Sequence, residues 1–432
     1  MTFEHDRPAQ LVMSADPELD YFDARLRLER ASLWVRVPEV MTDDVEAAVL
    51  CIAACGVRMF KGGVFLEAPA NLIGRLGAYA HRPLTRALAT LGVRPLAPPT
   101  TAFRLNLGVG EEADLHVWTD GWSGAAGPSP PAGDRRPGNA LSGMLSGALA
   151  VSIAFRRAVL GDVLAGRRLE QLSAWGRDES SAPEPLAYLP RALWLLGMGN
   201  LGQATLFGLS LLPFHDRGEV QLVLQDFDIA GPENLDAQVL TEFPWVGRRK
   251  ARQAAQWCEA LGFDAIVHER RFGPNFRPEV GDPQTLVIGV DNLETRRWAA
   301  ASGFPLTLDA GLGATASEAF DLRIHAFPGR RTPDQAWPAA VNSIAEVTLN
   351  PGLQRMVDQG RIDRCGAITI AGKSVGVPCT AMAAAALQLG QLCRAIVAGE
   401  CADLIDVSLA GTADLAWHDM DRVPQRPAFT AP

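Results

Sequence analysis

From residue 190 onward, short apolar runs alternate with longer stretches whose apolar positions recur at helical spacing. ALWLLG, EVQLVLQD, DAIVHE, TLVIGV and PLTLDA read as buried strands, and LGQATLFGLSLL, RRKARQAAQWCEALGF and LETRRWAAASG read as the helices between them. This order predicts an α/β fold with a doubly wound, Rossmann-like parallel sheet, whose ligands bind at the carboxyl ends of its strands.

The earlier part of the chain is less regular. DDVEAAVLCIAACGVRMF (43–60) is amphipathic, and RLNLGV and ADLHVWTDGW partly alternate apolar with polar residues, which predicts a smaller α/β module over 1–123. GAAGPSPPAGDRRPG (124–138) is too rich in Gly and Pro for a regular element and reads as an exposed linker. NALSGMLSGALAVSIAFRRAVLGDVL, apolar on nearly every side, reads as a buried helix, and GRDESSAPEPLAYLP (176–190) is a second break. The pattern divides the chain into 1–123, a linker with buried helix over 124–189, and 190–432. No internal repeat is visible.

Composition narrows the function. With 432 residues, 48% hydrophobic and 21% charged, the chain is long enough for two or three cored domains. Its net charge of −9 argues against a nucleic-acid partner. MTFEHDRPAQ is not a secretory signal, and the longest uncharged apolar stretch, Ala140 to Phe155, is shorter than a bilayer span, so a cytoplasmic protein without a membrane partner is expected. Cysteines at 51, 55, 258, 365, 379, 393 and 401 form an odd set without a C-x-x-C pair, which indicates neither a disulfide framework nor a tetrathiolate zinc site. His116 and His325, in strand-like stretches, read as structural residues.

GMGNLG sets Gly197, Gly199 and Gly202 in G-x-G-x-x-G register between a strand and a helix. The first makes the tight turn, the second lets backbone approach a phosphate, and the third lets helix and strand pack, while the helix N-terminus attracts the anion. Asp226, after the next strand, is placed to hold ribose hydroxyls in either an NAD or an ATP site. Beyond it come NLDAQ, with Asn234 and Gln238, then GRRK ending at Lys250, and the pair Asp291-Asn292 after an apolar strand. A dehydrogenase has no evident use for that set.

In order, these motifs resemble those of the ubiquitin-activating superfamily in its bacterial form, the ThiF and MoeB adenylyltransferases: a glycine turn, D-x-D (Asp226, Asp228), N-L-x-R-Q, G-x-x-K and a D-N pair. The resemblance covers roughly residues 190 to 410 and continues as VGVPCTAMAAAALQLGQLCRAI, like the helix that closes this fold after a crossover loop at about 329–376. It implies adenylation of a protein C-terminus with ATP and Mg²⁺, with Asp226 on the ribose and Asn234 and Gln238 orienting loop and phosphates. Lys250 serves as the phosphate cation and Asp291 as the metal carboxylate. The implied partners are a ubiquitin-like or small-protein modifier with a flexible C-terminal tail, a conjugating enzyme and a second copy of the chain. One departure stands out: the family arginine of N-L-x-R-Q is Ala237 here. Arg249 or Arg248, or an arginine from another subunit, must supply the charge, or the protein is a nucleotide-binding scaffold. A sulfur-carrier or peptide-product adenylating enzyme and an NAD-dependent oxidoreductase are the other readings. Cys365, flanked by Arg361, Arg364 and Lys373, is the candidate acyl-accepting thiol, with Thr369 and Ser374 as hydroxyl alternatives, whereas Cys379 and Cys393 fall in an apolar helix.

Overall fold

The structure, a computed structural model, describes residues 6–108, 112–130, 132–183, 186, 188–338, 349–364, 367–368, 375–420 and 422–430. Two short helices open it, α1 (Arg7–Ala15) and α2 (Tyr21–Arg30), each started by an aspartate whose carboxylate accepts main-chain N–H groups: Asp6 from Ala9, and Asp20 from Phe22 and Asp23. A six-stranded sheet follows: β1 (Ser32–Arg36), β2 (Gly63–Glu67), β3 (Phe103–Asn106), β4 (Leu115–Asp120), β5 (Ser123–Gly127) and β6 (Glu170–Ser173). Helix α3 (Asp43–Met59) joins β1 to β2, the short α4 (Leu84–Thr90) precedes β3, and α5 (Ala140–Phe155) lies between β5 and β6.

The expected linker is therefore only partly a loop. Ser123–Gly127 is a buried strand because its small residues let α5 lie directly on it: a Cβ on Gly124 would stand 2.4 Å from the Ser146 nitrogen and 2.5 Å from the Ser142 carbonyl oxygen. Gly143 and Gly147 bring α5 equally close to α3, where added Cβ atoms would meet the carbonyl oxygens of Asp44 at 2.0 Å and Ala48 at 2.7 Å. With β6 as its edge strand, the first half runs to residue 173 instead of ending at 123. What looked like Gly-rich punctuation is a close-packed strand–helix contact.

The second half follows the pattern read from its sequence. After β7 (Leu189–Pro190) come β8 (Ala192–Leu196), α6 (Asn200–Leu211), β9 (Gln221–Gln225), α7 (Lys250–Ala260), β10 (Asp264–His268), β11 (Thr285–Ile288), α8 (Leu293–Ala300) and β12 (Leu306–Leu312). β13 (Asp321–Phe327), the crossing segment with α9 (Pro333–Ala336) and α10 (Pro351–Asp358), α11 (Pro378–Val397), β14 (Ala402–Ser408) and β15 (Gly411–Asp419) complete it, and β16 (Phe429–Thr430) pairs with β7. The eight-stranded order is β10-β9-β8-β11-β12-β13-β14-β15. Helix α10 returns the crossing segment to the start of the chain: Gly352 N–H donates to the Pro17 carbonyl at 3.0 Å, and Arg355 and Arg361 pair with Glu18 at 2.7 Å and Asp20 at 2.6 Å.

The two sheets share one topology, a repeat that the sequence conceals. The first has the order β2-β1-β3-β4-β5-β6, and the second contains β9-β8-β11-β12-β13-β14. In both, the first three pairings are parallel and the last two antiparallel. In that correspondence α3 matches α6 and α5 matches α11. Helix α5 packs against α11, joining the halves through their equivalent helices. Ala140–Leu160 and Pro378–Val397 are long and apolar enough to cross a membrane by length and composition, but are 78% and 89% buried inside the fold. Their all-round apolarity is that of core helices.

Candidate active site

The strand order β9-β8-β11 brings three candidate segments to one edge of the second sheet: the glycine turn after β8, the D-x-D loop after β9 and the D-N pair after β11. Two of the three glycines are obligatory. Gly197 has φ +93°, and a Cβ there would come 2.8 Å from the Val290 side chain. A Cβ on Gly202 would stand 1.9 Å from the Gly197 carbonyl oxygen, so only glycine lets α6 start this close to the turn. Gly199 is different. It caps α6 with open space where its Cβ would be and no side-chain cap on the helix, leaving N–H groups and the positive dipole end free for an anion.

Asp226 ties the turn to the next loop. One carboxylate oxygen accepts the Met198 N–H at 2.6 Å and the other accepts the Asp228 N–H at 2.7 Å. Each oxygen keeps lone-pair capacity for a ribose hydroxyl. Burial raises this carboxylate above its ordinary range, against the lowering effect of those N–H donors and of the Lys250 charge.

Lys250 is the first residue of α7 and only 8% exposed; it is not a solvated surface lysine. Its N–H donates to the Asp228 carbonyl at 2.9 Å, and its ammonium lies 3.2 Å from the half-exposed Asp228 carboxylate. The loops meet again where the Ala230 N–H donates to Arg248 and the Gly247 N–H to Ala230, both at 2.8 Å. Tertiary pairing thus sets D-x-D beside G-x-x-K, which are distant in sequence.

Asn234 and Gln238 act on the loop alone. Asn234, 4% exposed, accepts the Gly231 N–H at 2.9 Å. Gln238, 3% exposed, accepts from Gln203 on α6 at 2.9 Å and from Thr241 at 3.0 Å. Both residues are buried, and through their carboxamide oxygens they brace the loop, as the loop-orienting part of their expected role requires. Asp291 is exposed just beyond β11, and Asn292 caps α8 by accepting the Thr295 N–H at 2.8 Å. Arg296 donates to the Val290 carbonyl at 2.7 Å, bracing the residue before Asp291.

A further cation, not singled out by the motifs, lies near the start of α6. Arg249 already donates its guanidinium to the Phe227 carbonyl, and Arg248 is exposed. Arg7, on α1 of the first half, has a buried Nε without a hydrogen-bond partner. Its guanidinium lies beside Gly376, where an added Cβ would be 3.7 Å from it and 3.3 Å from the Asn200 amide at the start of α6. Burial lowers Arg7 from its ordinary value, while the charges of Glu233, Asp236 and Asp291 work to raise it. An unpaired cation is held among the acids of the cleft. D-R-P at the chain start is legible as a helix N-terminus, but nothing local shows where that helix points.

Two more first-half residues reach the motif loop. Arg58 on α3 donates to the carbonyls of Gln238 at 3.1 Å and Val239 at 2.8 Å, and Lys61 pairs with Asp236 at 2.5 Å. The first half has no nucleotide turn of its own. At the equivalent place β1 runs into VPEVMT, and the first turn of α3 carries Asp43, Asp44 and Glu46, which repel an anion.

Cys365, with Thr369, Lys373 and Ser374, lies outside the described residues. Cys379 and Cys393 are buried in α11; burial raises the Cys379 thiol well above its ordinary value and Cys393 to about 12. Cys258 and Cys401 are likewise pushed to about 12.

Comparison with known proteins identifies the family. The family described as BilD C-terminal domain matches residues 189–399, and the BilD N-terminal domain family matches 38–174. The bacterial E1-like protein BilD of Collimonas sp. (strain OK412) is 31% identical over 453 residues, across 100% of this chain and 97% of its own length. The chain belongs to the BilD family of bacterial E1-like proteins. E1-like adenylating enzymes are therefore its class. Among solved structures, E. coli MccB with ATP aligns at 13% identity and TM-score 0.34 over 54% of this chain and 64% of its own. PaaA aligns at 15% identity and TM-score 0.33 over 54% and 64%. The chain spans somewhat less than two-thirds of the length of these structural neighbours.

Proposed function

We propose that the chain uses ATP and Mg²⁺ to adenylate the C-terminal carboxylate of a ubiquitin-like or similar small-protein modifier. A carboxylate oxygen forms a bond to the α-phosphorus as the bond from that phosphorus to the oxygen bridging it to the β-phosphate breaks, so an acyl-adenylate forms and pyrophosphate leaves. Catalysis of this kind rests on positioning and on neutralising phosphate charge. Asp226 holds the ribose, the N–H groups at the start of α6 receive phosphate oxygens, and Lys250 and Arg7 face the triphosphate with two cations. The observation that carries this reading is Arg7: a half-buried arginine whose buried Nε has no hydrogen-bond partner, placed beside Gly376 and the start of α6, in a chain whose motif lacks its own arginine.

The donor set fits Mg²⁺. Among the described residues no group of three His, Cys, Asp or Glu converges on a metal, but Asp291 offers one exposed hard oxygen ligand beside the turn, and Mg²⁺ commonly takes one or two carboxylates plus substrate phosphates. Bound there, it supplies charge neutralisation on the phosphates.

The modifier's tail must be flexible, because only an extended chain threads a carboxylate to a phosphorus inside a cleft. Arg7, Arg58 and Lys61 come from the chain's own first half, which supports a site built from both halves of one chain. The decisive experiment is ATP–pyrophosphate exchange with a candidate modifier. Exchange is expected with a free C-terminal carboxylate and lost when that terminus is amidated; exchange that survives amidation overturns the reading.

A further inference from the structure

Arg7 works only while it stays unpaired, and the surroundings tend to pair it. Glu233, Asp236 and Asp291 all lie within electrostatic range of its guanidinium. Glu233 acts on it most strongly; Asp236, next in strength and also in the motif loop, is the competitor that a first-half cation can engage. That carboxylate is already occupied. The Lys61 ammonium, in the loop between α3 and β2, lies 2.5 Å from an Asp236 oxygen, with both side chains roughly three-quarters buried (26% and 22% exposed). Its charge also acts on Asp6, which sits next to Arg7 in the chain and caps α1 by accepting the Ala9 N–H at 3.2 Å. One cation therefore faces both the anchor of the helix that carries Arg7 and the acid that competes for it.

We infer that Lys61 is the positioning residue for Arg7: by engaging Asp236 and facing Asp6 it keeps the Arg7 guanidinium free and turned to the nucleotide. Asp6 and Asp236 repel each other when Lys61 is absent; Arg25 still faces Asp6 and Arg58 is held by main-chain carbonyls, so Arg7, which Asp236 already acts on, is the cation left to join Asp236. A pair formed at this depth is not screened by solvent as a surface pair is. The nucleotide then has to break that pair before Arg7 reaches it. The same ion pair spans the two halves of the chain, as the Arg58 contacts do. This inference rests on the adenylation reading and on the role given to Arg7 there.

The test is a double-mutant cycle on modifier-dependent ATP–pyrophosphate exchange, with thermal melting in parallel. Lys61→Ala is expected to lower kcat/KM for ATP by about tenfold, corresponding to roughly 1.4 kcal/mol. In an Arg7→Ala background the same change is expected to have no further effect. Lys61→Ala combined with Asp236→Ala is expected to recover most of the loss, because the competitor for Arg7 is gone, although the ion pair between the halves is still missing. Lys61→Arg is expected to retain activity. A double variant as impaired as Lys61→Ala, or a Lys61→Ala penalty that persists in the Arg7→Ala background, overturns the inference and makes Lys61 a plain structural tie. If Arg7→Ala itself leaves exchange at the parental level, the role of Arg7 fails first, a separate and distinguishable outcome.

Discussion

The guanidinium of Arg58 donates to the main-chain carbonyl of Gln238 at 3.1 Å, across the boundary between the two halves of the chain. It also reaches the carbonyls of Val239 and, within its own helix, Ala54, both at 2.8 Å. Arg58 is 9% exposed, and burial lowers it from its ordinary value while carbonyl oxygens accept from its guanidinium. Arg58→Ala would leave those carbonyls buried and unpaired, at a cost of about 3 kcal/mol. A fall of roughly 6–12 °C in melting midpoint follows for domains of this size. If the midpoint holds within a degree, the contact does not join the halves as described.

Lys250→Ala and Asp291→Ala each remove a charge that the proposed mechanism places at the triphosphate. Either is expected to reduce ATP–pyrophosphate exchange by about a hundredfold, the equivalent of nearly 3 kcal/mol. Asp291→Ala should leave the melting curve close to parental, because its side chain is exposed. Persistence of the parental rate in Asp291→Ala would remove that carboxylate from the metal role.

Arg7 and the Arg248–Arg249 pair are rival answers to the alanine at 237. The structure favours Arg7, so Arg7→Ala is expected to suppress exchange by about a hundredfold, as loss of a charge-assisted phosphate contact does. Changing Arg248 and Arg249 together to Ala should cost less than tenfold by the same measure. The reverse ranking in a steady-state exchange assay returns the assignment to the G-x-x-K segment.

Asp309 and His325 stand directly opposite each other on β12 and β13 and give stability a pH signature. Burial raises Asp309 from 3.8 to about 6, opposed by Arg296 at 3.5 Å. Burial, with the nearby charges of Arg323, Arg331 and Arg296, lowers His325 from 6.5 to about 4. A raised carboxyl contributes stability that is present below its unfolded value and lost as pH rises through its folded value; a lowered imidazole contributes stability that is present above its unfolded value and lost as pH falls through its folded one. Across the interval between about 4 and 6 the two oppose each other. Melting followed over that interval should therefore fall more steeply on acidification in Asp309→Asn than in the parent, and less steeply in His325→Gln. Parallel curves for all three proteins would contradict both assignments.

Burial disfavours the thiolate at Cys55, Cys258, Cys379, Cys393 and Cys401. Brief alkylation of the folded protein near neutral pH is expected to spare these five. Cys365→Ala should keep pyrophosphate exchange but lose any reductant-sensitive adduct with the modifier. An adduct that resists thiol but yields to hydroxide would turn attention to Thr369 or Ser374.

Much of the second half was legible because its signals are local. A run such as ALWLLG can only be buried on both faces, and GMGNLG between a strand and a helix needs its glycines for backbone geometry at Gly197 and Gly202. The strand at Ser123–Gly127 was not legible. Its small residues are dictated by the helix that lies on it, and that helix comes later in the chain.

The sequence by itself determined the alternation of elements, the doubly wound sheet and the motif order from Gly197 through Asp226 and Lys250 to Asp291, since each depends on period, turn chemistry or spacing along the chain. Only the tertiary structure decided that the first half repeats the topology of the second, and that it supplies Arg7, Arg58 and Lys61 to a site it does not itself contain. Topology can persist while side chains diverge, because a strand order depends on which residues are apolar and buried, not on which residues they are. A charge acts through space, so the cation proposed to answer the alanine at 237 is set by how α1 packs across the fold and not by its distance of 230 residues along the chain.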